Sequence, residues 1–274
     1  MRWGRSLVGV MVAIAVVGAA TAGAVGPWPG LAPAVTTADG SVRFATKRLG
    51  SSTRVTVSRA RDGRVLRAAT VRGTFGIPAV TVTGAPGGLS ANGATLVLSE
   101  PPSYDVPRTE SRFAVVSTST LRVRTFPLRG EFGFDALSPD ARTLYLIQHR
   151  SQYDASYSVR AYDLRLGRLL PRAIVDKTEP DSTMRGFPVA RVTGTGATWV
   201  YTLYRRADAE PFVHALNTRG RYAVCIDVPW QGSVDDIWRA SLALSRDGRQ
   251  LLVKMQDGRT VARIDTATLK VATT

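Results

Sequence analysis

Apolar and polar residues alternate along most of the chain, and the alternation recurs in four similar segments. Each segment has an apolar strand end, a small polar residue, a tight turn and a second strand. Leu89, Leu137, Val192 and Leu244 occupy matching places, 48, 55 and 52 residues apart. Alternation with a period of two predicts half-buried strands, and a repeat of about fifty residues predicts a β-propeller. The segments are Gly88–Glu100 (GLSANGATLVLSE), Ala136–Gln148 (ALSPDARTLYLIQ), Arg191–Leu203 (RVTGTGATWVYTL) and Ala243–Met255 (ALSRDGRQLLVKM).

A second hairpin follows each segment, so the unit is predicted to be four antiparallel strands. A more divergent copy lies near the N-terminus, where Pro33–Thr46 and Arg54–Val71 turn at Asp39-Gly40 and Asp62-Gly63. No stretch shows the long 3.6-residue period of a helix. The fold class is therefore predicted to be all-β, a propeller of four-stranded antiparallel blades, with five blades. We expect a closed ring, the alternative being an open or six-bladed arrangement with an extra strand within Gly73–Gly87.

The amino-acid sequence of the repeat resembles that of a known group of proteins. LSPDARTLYL, followed by VRAYDLRLGRLL, is similar to the TolB-like and YVTN-type repeats of secreted bacterial WD-repeat-like β-propellers. The resemblance extends over residues 33–274 and implies a fold more than an activity. Two turns depart from the pattern, at Asp140-Ala141 and at Gly194-Thr195-Gly196, and no unit ends in Trp-Asp.

The N-terminus predicts export. Arg2 and Arg5 precede an uncharged run from Ser6 to Val25, and small residues follow its apolar half. This is the pattern of a cleaved signal peptide over residues 1–24, although the run is also long enough for an uncleaved membrane anchor. A linker over 25–32 and a single propeller domain over 33–274 follow. The protein is thus expected to be secreted or extracytoplasmic, associated with the cell envelope.

The net charge of +15 limits the range of partners. Attraction to an anionic phospholipid surface or envelope polymer is one interpretation. Basic residues occur in every blade, which favours the alternative, a compositional bias toward arginine on solvated strands. No nucleic-acid-binding module is recognisable, so nucleic acid is not an expected partner. Cys225 is the single cysteine, which excludes a disulfide within the chain and predicts a small buried apolar residue.

The connections between strands predict which face carries function. The turns SANG, SPDA, GTG and SRDG are short and share one face, whereas long connections share the other. Function concentrates on long loops held by a rigid scaffold. We therefore expect the long-loop face to bind the ligand, through residues 100–110, 149–156, 176–188, 205–211 and 230–238.

Within these loops a few side chains are candidates for binding. Two loops share a Tyr-Asp pair, which offers a stacking surface and an acceptor suited to a sugar or a cationic peptide group. The alternative, that the shared pair records repeat duplication alone, is favoured over binding. No metal or cofactor is expected, because two His and one Cys cannot form the usual zinc sites and the Asp spacing matches no calcium loop. The candidate binding residues are Tyr104, Asp105, His149, Tyr153, Asp154, Asp235 and Asp236.

Two functions remain in competition. The first is a non-catalytic module that binds a protein, a peptide or a cell-envelope polymer through the long-loop face, with membrane contact only through an uncleaved N-terminal segment. The second is a glycan hydrolase or lyase, which needs two carboxylates about 5–5.5 Å or 6.5–9.5 Å apart at the channel mouth. Candidate acids for the enzyme are Asp105, Asp135, Asp154, Asp181, Asp235 and Asp236.

Overall fold

The computed structural model describes residues 29–103, 108–150, 155–178, 183–207 and 209–272. The predicted signal or anchor segment, residues 1–24, lies outside them. Among the described residues no helix is long and apolar enough to cross a membrane. The two short helices are single 3₁₀ segments, Thr195–Ala197 and Val234–Arg239.

In the described part of the chain, five antiparallel sheets follow one another, which confirms the predicted all-β propeller of five blades, and a sixth, two-stranded sheet lies outside the blades. Within these ranges, four of the five blades have four or five strands, and blade 2 has three. β1 (Leu31–Ala32) precedes blade 1, which consists of β2 (Ala34–Thr36), β3 (Val42–Leu49), β4 (Ser52–Arg59) and β5 (Val65–Arg72). After β6 (Ile77–Pro78), blade 2 contains β7 (Thr95–Ser99), β8 (Glu110–Ser117) and β9 (Val123–Arg129). Blade 3 contains β10 (Phe132–Leu137), β11 (Thr143–His149), β12 (Ser156–Asp163), β13 (Arg168–Ile174) and β14 (Met184–Arg185). Blade 4 contains β15 (Phe187–Thr193), β16 (Trp199–Arg205), β17 (Phe212–Asn217) and β18 (Tyr222–Asp227). Blade 5 contains β19 (Ser241–Leu244), β20 (Gln250–Lys254), β21 (Thr260–Asp265) and β22 (Val271–Ala272).

The short turns that define the sequence repeat are closed by one hydrogen-bond pattern. In blade 3 the Ser138 hydroxyl donates to Asp140, Asp140 accepts from the backbone N–H of Arg142, and Thr143 donates its N–H to Ser138. Blades 2 and 5 repeat this pattern with Ser90 and Asn92 and with Ser245 and Asp247, and blade 1 with Thr37 and Asp39. The hydrogen bond from Thr37 lowers the pKa of Asp39 to about 2. These side chains serve the turn, as Asx and Ser residues commonly do.

A second repeated contact lies on the opposite face, where one blade passes to the next. The buried Ser111 hydroxyl, near the start of β8, donates to the carbonyl of Gly130 and accepts from the N–H of Phe132, both at 2.9 Å. Thr53 at the start of β4 does the same for Gly73 and Phe75, at 2.8 Å each. We call this pair of hydrogen bonds the hydroxyl latch. It ties the segment that leaves each blade to the strand that carries the hydroxyl, which is β8 in blade 2 and β4 in blade 1.

Glycine is required at the latch. Gly73, Gly130 and Gly186 have φ of +111°, +106° and +136°, values that side chains with a Cβ rarely adopt. Each donates its N–H to a carbonyl just before the third strand of the preceding blade: Ser51, Thr109 and Ala155 respectively. A Cβ on Gly186 would lie 2.7 Å from the carbonyl oxygen of Arg205. The Arg-Gly dipeptides that recur in the sequence therefore mark the points where the chain turns inward to a new blade.

Apolar packing joins consecutive blades. Four clusters bury the facing sides of blades 1 and 2, 2 and 3, 3 and 4, and 4 and 5. By contrast, the face of blade 1 turned away from blade 2 is exposed at Arg43, Lys47 and Arg54. A closed ring would cover that face with blade 5, so the exposure favours the open arrangement over the closed ring.

Removal of the latch hydroxyl should destabilise the fold. Ser111→Ala leaves the Phe132 N–H and the Gly130 carbonyl without their buried partner, and we expect a loss of about 1–3 kcal/mol in the free energy of unfolding. Ser119→Ala, in an exposed turn of the same blade, is the control and should change it by less than about 0.5 kcal/mol. Denaturant unfolding measures both. Equal effects of the two changes would contradict a structural role for the latch.

Candidate functional site

A hairpin crosses the centre of the molecule and divides it into two cavities. Bridges from Gly76 to Ser99 and from Leu89 to Leu96 mark where the chain leaves and rejoins the sheet of blade 2. Between them the hairpin reaches the inner strand of blade 4, where Val82 donates its N–H to the carbonyl of Pro188 at 2.8 Å. The segment proposed to hold an extra strand does contain one, β6, although it pairs with β1 and not with an additional blade.

The cavity on the long-loop face is the candidate site, and we call it the central cleft. Its interior volume is about 50 Å³, and it opens to solvent. Proline and aromatic side chains line it together with three carboxylates and three arginines. This combination of apolar walls and few polar groups is typical of ligand sites. The residues used below are Pro101, Pro102, Arg108, Arg112, Glu131, Phe132, Asp135, His149, Tyr157, Arg191 and Tyr204.

The second cavity, of about 470 Å³, opens on the short-turn face. Val80, Phe134, Asp135 and Arg191 line both cavities, so these four residues form the wall between them. The short-turn cavity is lined by turn residues such as Ser90, Thr195 and Gly196, whose side chains or backbone conformations serve the turns. The central cleft is therefore the better candidate for specific binding.

A buried ion pair forms the charged part of this wall. Arg191 donates to the carboxylate and to the backbone carbonyl of Asp135, and its Nε donates to Thr202 at 2.9 Å. The Asp135 side chain is 2% exposed and that of Arg191 is 10% exposed. Arg191 thus balances the charge of Asp135, whose Oδ2 atom is buried and has no hydrogen-bond partner among the described residues.

Glu131 supplies the polar group at the floor of the cleft. It lies between Gly130 of the latch and Phe132, so the turn into blade 3 places it. Its Oε1 atom is buried and has no hydrogen-bond partner among the described residues. Burial raises the pKa of Glu131, while the backbone N–H and the charge of Arg108 act in the opposite direction. Arg108 itself pairs with Glu100 at 2.9 Å.

Two tyrosines, Tyr157 and Tyr204, form the side of the cleft between blades 3 and 4, and His214 contacts Tyr204 without lining the cleft. The rings of Tyr157 and Tyr204 stack with their centroids 5.1 Å apart, and His214 meets Tyr204 edge to face at 6.2 Å. Cys225 Sγ lies 3.7 Å from His214 Nδ1, and this cysteine is half-buried, less than the fully buried residue expected. Burial lowers the pKa of His214 to about 4, so its imidazole is neutral at pH 7.

The structure places the predicted binding residues in different regions. His149 lines the cleft, and burial lowers its pKa to about 3, so it is also neutral at pH 7. Asp236 accepts from the N–H and hydroxyl of Ser233 and caps the 3₁₀ segment, with the exposed Asp235 beside it, and neither lines the cleft. Tyr104, Asp105, Tyr153 and Asp154 lie outside the described residues.

The sequence reasoning missed Glu131, Arg108, Arg191, Tyr157 and Tyr204. Only Glu131 had a local signal, because it directly follows the Arg-Gly dipeptide that marks the turn toward the centre. Arg191 reaches Asp135 across 56 residues of sequence, and the two tyrosines meet across blades. Repeat spacing alone does not show such contacts.

Comparison with known proteins bears on the fold. No family model and no curated protein sequence matches the chain. A functionally unknown protein of Desulfotomaculum acetoxidans DSM 771 is similar, with a TM-score of 0.54 and 10% identity over 89% of this chain and 68% of that chain. Kuenenia stuttgartiensis hydrazine synthase matches with a TM-score of 0.51 and 16% identity over 94% of this chain and 69% of that chain.

The periplasmic gluconolactonase of Pseudomonas aeruginosa has a TM-score of 0.50 and 16% identity over 88% of this chain and 70% of that chain. At such identities the likeness shows the fold alone. Together with the five antiparallel sheets it supports the propeller fold implied by the resemblance. The secreted and bacterial parts of that resemblance stay predictions.

The wall between the cavities should depend on its ion pair. Arg191→Met leaves Asp135 buried without its partner, and we expect a loss of about 3–5 kcal/mol in unfolding free energy. Adding Asp135→Leu to that variant should restore most of the loss, since an apolar pair of similar volume needs no counter-charge. Denaturant unfolding of the two single variants and the double variant measures the coupling. Additive losses would contradict the direct pairing.

Proposed function

We propose that this chain is an exported, non-catalytic β-propeller that binds a protein, a peptide or a cell-envelope polymer in the central cleft of its long-loop face. The observation that carries the proposal is the buried Oε1 of Glu131, an acceptor without a described partner in a cleft with apolar walls. A peptide N–H or a sugar hydroxyl would supply the donor that this oxygen lacks.

The charges of the cleft support binding over catalysis. Asp135 is committed to Arg191 and Glu100 to Arg108, so two of the three carboxylates in the cleft already have a cationic partner. A glycan hydrolase needs a pair of carboxylates that both face the substrate. Three arginines, Arg108, Arg112 and Arg191, balance the three carboxylates, so the cleft suits a ligand of low net charge.

Export is part of the proposal and rests on residues 1–24. If the segment is a cleaved signal, the mature protein should begin near residue 25, and intact-mass measurement of protein recovered from the cell envelope gives its N-terminus. An unprocessed mass together with membrane association would indicate the anchor instead. Recovery of an unprocessed protein from the cytoplasm would refute export.

Site-specific photo-crosslinking should locate the ligand at the cleft. A benzophenone amino acid replaces Arg112, which is exposed at the cleft, or Arg219, which is exposed in a short turn on the opposite face. In the native envelope fraction, we expect a discrete adduct from position 112 and none from position 219. Adding Glu131→Gln should lower the adduct yield about tenfold, because a hydrogen bond to a neutral amide oxygen is about 1–1.5 kcal/mol weaker than one to a charged carboxylate. Equal adducts from both positions, or no effect of Glu131→Gln, would refute the proposal.

A glycan hydrolase or lyase is the second candidate, and the raised pKa of Glu131 favours it. A carboxyl that stays protonated to higher pH is suited to act as a general acid. Wild-type protein that cleaves members of a polysaccharide panel, with turnover abolished by Glu131→Gln and kept by Glu100→Gln, would replace the binding proposal with this one. Among the acids proposed from the sequence, Asp135 is held by Arg191.

A further inference from the structure

Acidic residues are distributed unequally among the blades, and this concentrates the net charge. Basic residues occur in every blade, but residues 34–72 contain nine Lys or Arg and only two Asp, a surplus of seven out of the total of +15. This segment is blade 1. Blade 1 therefore carries nearly half of the net charge, more than any other blade, which composition alone does not require.

The surplus forms a patch on the exposed, outward face of blade 1. Strand register places Lys47 of β3 directly opposite Arg54 of β4. It also places Ser52 of β4 directly opposite Arg72 of β5. Arg43 lies further along the same face, opposite Ser58. All four cationic residues are exposed, whereas the two carboxylates of the blade, Asp39 and Asp62, lie in its turns. We call Arg43, Lys47, Arg54 and Arg72 the cationic face.

The arrangement is unfavourable for the sheet itself. Like charges directly opposite each other on neighbouring strands destabilise a sheet, and Arg72 is also a diagonal neighbour of Arg54. Within the described residues none of the four forms an ion pair. An external anion would relieve this repulsion.

We propose that the cationic face binds a linear, phosphate-bearing polymer. Three of its four cations are arginine, whose planar guanidinium matches phosphate through two parallel hydrogen bonds. Hydroxyl donors lie between them, at Thr56, Ser58 and Thr70. Four strands spaced about 4.8 Å apart provide a surface wide enough for one extended chain. The site is separate from the central cleft, so the proposal stands or falls independently of the cleft ligand.

Other occupants fit this face less well. A second copy docking through blade 5 would bring the side of that blade with Lys254, Arg263 and Asp265 against it, a side whose net charge is also positive. Nucleic acids that bind as single strands stack on aromatic rings, and the outward face has none. A bilayer favours a continuous apolar surface, whereas the exposed Leu49 and Val65 lie at opposite ends of the face.

Binding to inorganic polyphosphate tests the proposal. The face variant replaces Arg43, Lys47, Arg54 and Arg72 with Gln, and the matched control replaces four exposed arginines of other blades: Arg165, Arg172, Arg219 and Arg246. Both lose the same net charge. We expect the face variant to bind polyphosphate at least about tenfold more weakly than wild type at low salt. The slope of the logarithm of its binding constant against the logarithm of the salt concentration should become shallower by about three. The control should stay within about twofold of wild type.

Two further measurements, of thermal stability and of binding to competing ligands, distinguish the proposal from its alternatives. Because the face variant removes repulsion between like charges, its thermal midpoint should equal or exceed that of wild type, which separates lost binding from lost folding. If both variants lost the same affinity for polyphosphate, net charge alone would explain the binding, which would overturn the proposal. Absence of polyphosphate binding by wild type would do the same, as would stronger binding to polyglutamate or to anionic phospholipid vesicles.

Discussion

The hydroxyl latch is the contact on which the centre of this molecule depends. A buried Ser or Thr at the start of the third strand of one blade binds the backbone where the next blade begins, and the adjacent glycine has a positive φ. A single blade cannot bury both of its faces, so its stability depends on this junction with its neighbour. The latch fixes where each inner strand begins, and it therefore fixes which side chains reach the centre.

The position of Glu131 shows this dependence. It is the single residue between the latch glycine Gly130 and the buried Phe132, and the hydrogen bonds of Ser111 hold both neighbours. At the equivalent position in blade 2, between Gly73 and Phe75, the residue is Thr74. The two junctions therefore share the latch hydrogen bonds but differ in this residue, and of the two only Glu131 lines the central cleft. This is how a repeated fold acquires a specific site without changing its framework.

Local patterns predicted the fold well, because strands and turns are decided by residues close in sequence. The Ser-x-Asp and Ser-x-Asn turns close through side chains two residues apart, so the repeat revealed them directly. The cleft was less predictable. Asp135 was proposed as an acid of the enzyme alternative, but its partner Arg191 comes from the next blade, and Asp236, proposed as a binding residue, caps a 3₁₀ segment. His149 lines the central cleft, where burial keeps its imidazole neutral, and its role in binding stays a prediction. Roles of this kind depend on contacts between blades, which spacing along the chain does not encode.

The central cleft and the cationic face of blade 1 differ in the balance of their charges. In the central cleft, cations and carboxylates are equal in number and partly paired, so the electrostatic field that a ligand meets there is short-ranged. On the outward face of blade 1 the cations are unpaired, and their field extends about a Debye length into solution, about 8 Å at physiological salt. The cleft can therefore discriminate by shape and hydrogen bonding while the cationic face attracts by charge. A ligand of the cleft should respond little to salt, whereas a ligand of blade 1 should respond strongly, because only the latter releases counterions when it binds.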